Sequence, residues 1–275
     1  MSKIKIVTDS TAYLTKEFIQ QYNIDVVPLS VTFEGAVSDE GFPGEFDSFF
    51  DRLSKSKDFP TTSQPSIGKF VDVFKQALND GYEVIAIVIS SKLSGTFNSA
   101  SVAAGMINTN NISVIDSLTS VSNLKALIEK ALFLSEKGLS RAEIVQQIEE
   151  QKKRGGIRLT VATLDYLKKG GRLSSTEAFL GSLLNIKPII GLIDGKLEPV
   201  DKVRGKKKAI EKMIEEIPSN AKSIYISHVG AYNEAVEYET IIKQRYPDAI
   251  TGIYELGPVI GCHLGAEAIG ICYMY

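Results

Sequence analysis

The chain has 275 residues, 44% hydrophobic and 23% charged, with a formal net charge of −2. That balance excludes a disordered or fibrous chain and offers no general attraction to nucleic-acid phosphates. With two cysteines, two histidines and no run near the ~20 apolar residues of a membrane helix, neither a disulfide scaffold, a metal centre nor a spanning segment is expected.

The length is near the size at which one hydrophobic core divides into two. The opening Met1-Ser2-Lys3-Ile4-Lys5 runs straight into a strand pattern and shows no signal-peptide core, so a cytoplasmic protein is expected. Lys3–Thr8 reads as a strand, and Thr15 as the N-cap of a helix through Tyr22. Asp25–Phe33 reads as a second strand and 45–55 as a helix. Two prolines and four hydroxyls mark 59–66 as a loop. A helix to Asn79 follows and stops at Gly81. The nearly all-apolar Glu83–Ile89 has the pattern of a strand buried on both faces of a parallel sheet. A helix over 95–107, a strand over 112–115 and a helix over 122–137 complete an alternating series. Arg141–Arg154 is an amphipathic helix with Ile144, Val145 and Ile148 inward.

Gly155-Gly156 ends that helix and marks the expected boundary between an N-terminal lobe, 1–155, and a C-terminal lobe, 156–275. The second lobe should hold strands over 158–163, 188–193, 222–227 and 250–254. Its helices should cover 174–184, 206–216 and 233–246. Asp194-Gly195 is a hairpin-turn signal, so the second sheet is expected to be mixed. Residues 1–150 hold 13 basic and 19 acidic residues, and residues 151–275 hold 18 and 14. The basic segments 168–172 and 202–208 account for much of the second half's surplus and suit an acidic partner, a phosphate or an anionic membrane face.

The strongest chemical feature is Ser90–Ser99, which joins a buried strand to a helix start. Ligands of open α/β sheets bind beyond strand carboxyl ends, and a helix start supplies free amides. Ser94 offers a hydroxyl and Gly95 a close backbone approach; Ser94 or Thr96 could equally be a simple cap. No GxxxxGK[ST] or GxGxxG is present, which turns the reading from a nucleotide to a smaller anion such as a carboxylate. The loop Thr61–Ser66 is a second hydroxyl group, with capping by Ser66 as its plain alternative. Gly261–Ala266 brings His263 among glycines, where a histidine with a satisfied hydrogen bond is the plain alternative. Asp9-Ser10-Thr11 and Asp116-Ser117 also follow strands and could be crevice residues or caps.

Together these segments resemble the DegV family. Val7–Ala12, Thr62–Ser66, Ser90–Ser99, Tyr166–Ser174, Leu184–Ile189, Lys202–Ala209 and His263-Leu264-Gly265 match its pattern in order along nearly the whole chain. The resemblance implies a two-lobed DegV fold: a mostly parallel open sheet with flanking helices, then an α/β lobe with a mixed sheet. It implies a long-chain fatty acid bound between the lobes as ligand, with no cofactor. It also implies a binding subunit without catalytic residues or an ATP site of its own, serving an ATP-dependent fatty acid kinase subunit that makes an acyl phosphate for phospholipid metabolism. The family's carboxylate contacts fall on Thr62, Ser94 and His263, with a backbone amide at Gly95. Arg172 and Arg204 fall on segments for partner docking or transient membrane contact. Apolar candidates for the acyl tunnel are Leu29, Phe33, Phe97, Leu183, Leu184, Ile189, Ile190 and Leu264. The family often carries Pro-Gly after His-x-Gly, where this chain has Ala266 and Glu267. A monomer is expected. The rival readings are a serine acyl hydrolase using Ser94 and His263, with Asp9 or Asp116 orienting the base, and a module that senses a small anion. No GxSxG elbow accompanies the hydrolase reading.

Overall fold

The computed structural model describes residues 3–173 and 185–275. In chain order it begins with β1 (Lys3–Asp9), a 3-10 turn at Ser10–Ala12, α1 (Lys16–Tyr22), β2 (Asp25–Val27), β3 (Ser30–Phe33) and β4 (Ala36–Asp39). Next come α2 (Asp47–Lys55), β5 (Thr61–Ser63), α3 (Ile67–Asn79), β6 (Tyr82–Val88), α4 (Thr96–Ile107), β7 (Ile112–Asp116), α5 (Val121–Glu136) and α6 (Arg141–Gln151). The remainder is β8 (Gly155–Thr160), α7 (Asp165–Lys169), β9 (Ile186–Ile193), β10 (Lys196–Arg204), α8 (Lys206–Glu215), β11 (Ser223–His228), α9 (Tyr232–Arg245), β12 (Ile250–Glu255), α10 (Pro258–Leu264) and β13 (Ile269–Met274). The helix expected over 174–184 lies outside the described residues. These elements form two compact units, Met1–Pro43 with Thr62–Lys153 and Gly44–Thr61 with Arg154–Tyr275.

The first unit is built on a parallel sheet of order β2-β1-β6-β7. Alternate residues of β6 point to opposite faces. Val84, Ala86 and Val88 pack with Phe70, Phe74 and Ala77 of α3 and Ala100 and Ala103 of α4. Ile85 and Ile87 turn to the face covered by α5 and α6, and all five β6 residues from Val84 to Val88 are fully buried. This is the doubly covered central strand expected from its unbroken apolar run. Thr15 caps α1 by accepting from the Phe18 amide at 3.3 Å, and Ser66 caps α3 from Lys69 at 3.2 Å.

Two local expectations change. Asp25–Phe33 is not one strand: it divides into β2, in the parallel sheet, and β3, in a separate sheet of order β4-β3-β5. Pro28 sits at the break, where its missing amide cannot serve a ladder. A two-residue turn then links β3 to β4, with Glu34 and Gly35 both at positive φ (51° and 77°) as a tight hairpin requires. Part of the expected 59–66 loop is strand β5.

The second unit carries a mixed sheet of order β10-β9-β8-β13-β11-β12. Only β11 and β12 are parallel neighbours; the remaining neighbours run antiparallel. Asp194-Gly195 makes the β9–β10 hairpin turn, with φ of 46° and 80°. One face packs Ile189, Ile224, Ile226, Ile269 and Ile271 against Ile210, Met213 and Ile214 of α8 and Tyr238 and Ile242 of α9. Gly155 and Gly156 do not end the helix, which stops at Gln151; they open β8 and pair with Met274 and Tyr273. A Cβ at Gly156 would overlap the Tyr273 hydroxyl, so the glycine makes room for that ring. Among the described residues no helix is long and apolar enough to cross a membrane.

Candidate functional site

The site elements of the first unit lie past the carboxyl ends of β1, β6 and β7. Strand order reverses direction between β1 and β6 there, the usual ligand crevice of such a sheet. Here the Asp9 side chain fills that position. Its Oδ2 accepts from the Ile89 amide at 2.7 Å, and its Oδ1 accepts from the Thr11 amide at 3.0 Å and the Thr11 hydroxyl at 2.6 Å. Asp9 is fully buried, and burial raises its pKa against the lowering effect of those donors. Ser10 donates to the Glu40 carboxylate at 2.6 Å. Asp116 accepts from the amides of Ser91 and Leu118 at 3.0 and 3.1 Å, and the Ser117 hydroxyl donates to the Thr119 carbonyl at 3.2 Å. These residues lock the strand ends. Asp9 and Asp116 are committed to backbone and hydroxyl donors, whereas a hydrolase would need one of them on an imidazole.

After β6 the chain coils tightly, because the amides of Leu93 and Ser94 both donate to the Ser90 carbonyl, at 3.0 and 3.1 Å. Ser94 is half-buried, lies 2.8 Å from the Thr96 hydroxyl and accepts from the Thr96 amide at 3.3 Å. Ser94 thus takes up the first amide of α4, whose N-cap is Gly95, and the paired hydroxyls form a small polar group. The first intrahelical bond of α4 runs from the Ser99 amide to the Gly95 carbonyl at 3.0 Å. The amides of Phe97 and Asn98 are thus terminal donors of that helix. The structure brings the two hydroxyl segments together. A Cβ at Gly95 would lie 2.6 Å from the Gln64 side-chain nitrogen, so Gln64, two residues beyond half-buried Thr62, rests on Gly95 itself. The sequence argument chose Thr62, Ser94 and Gly95 but missed Gln64, whose only signal was its place between Thr62 and Pro65.

His263 belongs to the second unit, near the end of α10, and is 8% exposed. The Gly170 backbone packs against its ring; a Cβ at Gly170 would overlap Nδ1. Burial first, and the nearby Arg172 guanidinium second, push its pKa down to about 4, so the ring is neutral at physiological pH. Arg172 donates to the Gly170 carbonyl and is half-buried. Arg204, at the end of β10, is exposed. Glu267 is exposed, with φ 60°, and its amide donates to the Val229 carbonyl at 2.9 Å.

Of the apolar candidates, Leu29, Phe33, Ile189, Ile190 and Leu264 are buried. Ile189 sits in the second unit's packed core, and Ile190, next along β9, faces the opposite side of that sheet. Phe97 is half-buried against the first unit's core. Leu183 and Leu184 lie outside the described residues.

Residues 3–275 match the family model described as "Uncharacterised protein, DegV family". The chain belongs to the DegV family. Protein DegV of Bacillus subtilis is 36% identical over 279 residues, covering 99% of both chains. The solved DegV of Bacillus subtilis, described as a fatty acid binding protein, superposes with a TM-score of 0.88 at 36% identity, covering 100% of each chain. A DegV family protein from Thermus thermophilus, described by its fatty acid binding, gives a TM-score of 0.90 at 32% identity over 100% of both chains. A fatty acid binding DegV family protein from Streptococcus agalactiae gives 0.91 at 28% identity, covering 100% of this chain and 99% of its own. The parallel first sheet and mixed second sheet are those of the DegV fold.

Proposed function

We propose that this chain binds one long-chain fatty acid and presents the carboxylate to a separate ATP-dependent kinase subunit. The observation that carries the reading is the meeting of the Thr62 and Ser94–Gly95 segments in a fold whose solved relatives are fatty acid binding proteins. In this reading the hydroxyls of Thr62 and Ser94, the α4 amides from Gly95 onward and the His263 ring hold the head group. Leu29, Phe33, Phe97, Ile190 and Leu264 are the apolar residues offered to the tail.

The physical balance suits such a ligand. Each methylene removed from water contributes about 0.8 kcal/mol, so some fourteen contribute roughly 11 kcal/mol. Lost freedom on association opposes this by about 4–15 kcal/mol, which leaves useful affinity only for an enclosed tail. A buried carboxylate is costly unless hydrogen-bonded, and neutral donors satisfy it while leaving an oxygen nucleophilic. That oxygen attacks the γ-phosphorus of ATP on the kinase subunit. A carbon–oxygen–phosphorus link forms, the bond to the β-phosphate oxygen breaks, and ADP leaves. In this reading Arg204, which is exposed, and Arg172 meet the acidic surface of that subunit or make brief contact with a membrane. Native mass spectrometry of the purified chain tests the binding: a co-purified fatty acid is expected. An unloaded chain that also fails to take up oleate would refute it. Acyl phosphate formed with ATP only when the chain and a fatty acid kinase subunit are mixed tests the presentation.

A further inference from the structure

Residues 44–61 leave the first unit's sequence region to pack in the second unit, then return at Thr62. Two phenylalanines and one backbone amide fasten them. The Gly44 amide donates to the Glu255 carboxylate at 3.1 Å, at the strand end that leads into α10. Phe50, on α2, lies directly against Gly261 of α10, where a Cβ would be 2.5 Å from its Cζ. Four residues on, at the end of α10, Gly265 has φ 79° and takes the Tyr166 ring, 2.6 Å from where its Cβ would be. Tyr166 in turn stacks with Phe59 at 5.6 Å between centroids, and Lys169 covers the Phe59 ring at 5.3 Å. Gly261 lies within α10 and Gly265 is its C-cap. The segment therefore holds α10 at two points, directly at Gly261 and through Tyr166 at the C-cap.

We propose that residues 44–61 form a positioning strap, in which Phe50 and Phe59 hold α10 so that His263 is fixed for the fatty-acid head group. The inference rests on the reading of His263 as a head-group ligand. Its physical basis is that two glycines, Gly261 within α10 and Gly265 at its C-cap, admit rings that no residue with a Cβ would admit. Rings so seated resist sliding or rotation of a seven-residue helix too short to be rigid alone. His263 sits between those contacts in sequence, with the Gly170 backbone against its ring. The strap's far end continues into Thr61–Ser63, so one stretch of chain links the contacts on α10 to the hydroxyl segment. Phe50 and Phe59 are positioning residues and need not touch the ligand.

The test uses the full chain with Phe50→Ala, Phe59→Ala and the milder Phe59→Leu, with His263→Ala and Thr62→Ala alongside. Oleate affinity is measured by fluorescence displacement. The His263 imidazole is followed by carbon-edited NMR, which is tractable because the chain has two histidines. A tenfold loss of oleate affinity in the alanine variants is expected, with the His263 titration midpoint moving up toward 6.5 while His228 stays put. A smaller shift of the same sign is expected for Phe59→Leu. Gly261→Ala should repeat the effect by evicting Phe50, and should add nothing in a Phe50→Ala background. Unchanged His263 resonances and affinity within twofold in the folded phenylalanine variants overturn the strap, even where His263→Ala and Thr62→Ala lose binding. Should those two bind normally, the head-group reading fails instead, and the His263 titration still decides the positioning.

Discussion

Acidification should destabilise the chain through His263. The imidazole is 8% exposed and is held at about 4 against an ordinary 6.5, by burial first and by Arg172 second. A base whose folded pKa lies below its unfolded value binds fewer protons folded than unfolded. Stability therefore falls as pH drops from 6.5 toward 4, and is untouched by this group above that window. At about 1.4 kcal/mol per pH unit, the full window amounts to roughly 3 kcal/mol as a ceiling. Other groups titrate nearby. His228 is also lowered by burial and acts in the same direction. Asp9 is raised, so it favours the fold at low pH and acts in the opposite direction. The contribution of His263 is isolated by comparing the chain with His263→Gln, which keeps a neutral polar side chain. Equilibrium urea denaturation from about pH 7 to about pH 4.5 should show the chain losing stability relative to the variant by about 1.4 kcal/mol per unit, only below about pH 6.5. A constant difference over that range, or an NMR midpoint for His263 between about 6 and 7, refutes the reasoning.

Three further outcomes are expected. In the proposed head-group site, Ser94→Ala and Thr62→Ala each remove a hydroxyl from the carboxylate, a loss of about 1.5–3 kcal/mol, so oleate affinity measured by displacement should fall roughly tenfold to a hundredfold. Asp9→Asn leaves one oxygen for three donors; a buried donor at Ile89 or Thr11 loses its partner, and urea denaturation should show a loss of about 1–3 kcal/mol. Gly170→Ala drives a methyl group into the His263 ring, which should cost about 1–3 kcal/mol by overpacking and shift the His263 NMR signals.

The alternating architecture was legible because β6 and the helices around it carry strong, period-specific apolar patterns. Asp194-Gly195 announced its hairpin through residues that tolerate positive φ. The division of Asp25–Phe33 was written in Pro28, but a Val-rich run on either side outweighed that single residue. The strand role of Gly155 and Gly156 was not legible, for a physical reason. Their role is to admit a tyrosine from β13, more than a hundred residues later in the chain, and no local pattern carries that information. The same holds for the site. Ser94 was legible because its hydroxyl follows a strand end, and Thr62 because it lies in a hydroxyl-rich loop and on a segment of the family pattern. Gln64 resting on Gly95, and the short helix α10 with its ring-bearing glycines, depend on tertiary contacts that local periodicity does not record.

Asp9 gives a reason why the candidate anion site of this sheet stands beyond the usual crevice. In either protonation state its side chain fills the gap between the ends of β1 and β6 and takes the donors at Ile89 and Thr11 that an incoming anion would need. The coil from Ser90 to Gly95 then carries the start of α4 past that filled gap, and the donors gathered there, Ser94 and Thr96 with Gln64 close by, are neutral. Lys92 of the same coil is exposed, and Arg172 belongs to the second unit, beside a histidine kept uncharged. In the proposed function a fatty-acid carboxylate held on such neutral donors keeps its full negative charge. That is the state in which a carboxylate oxygen is most able to attack a phosphoryl group.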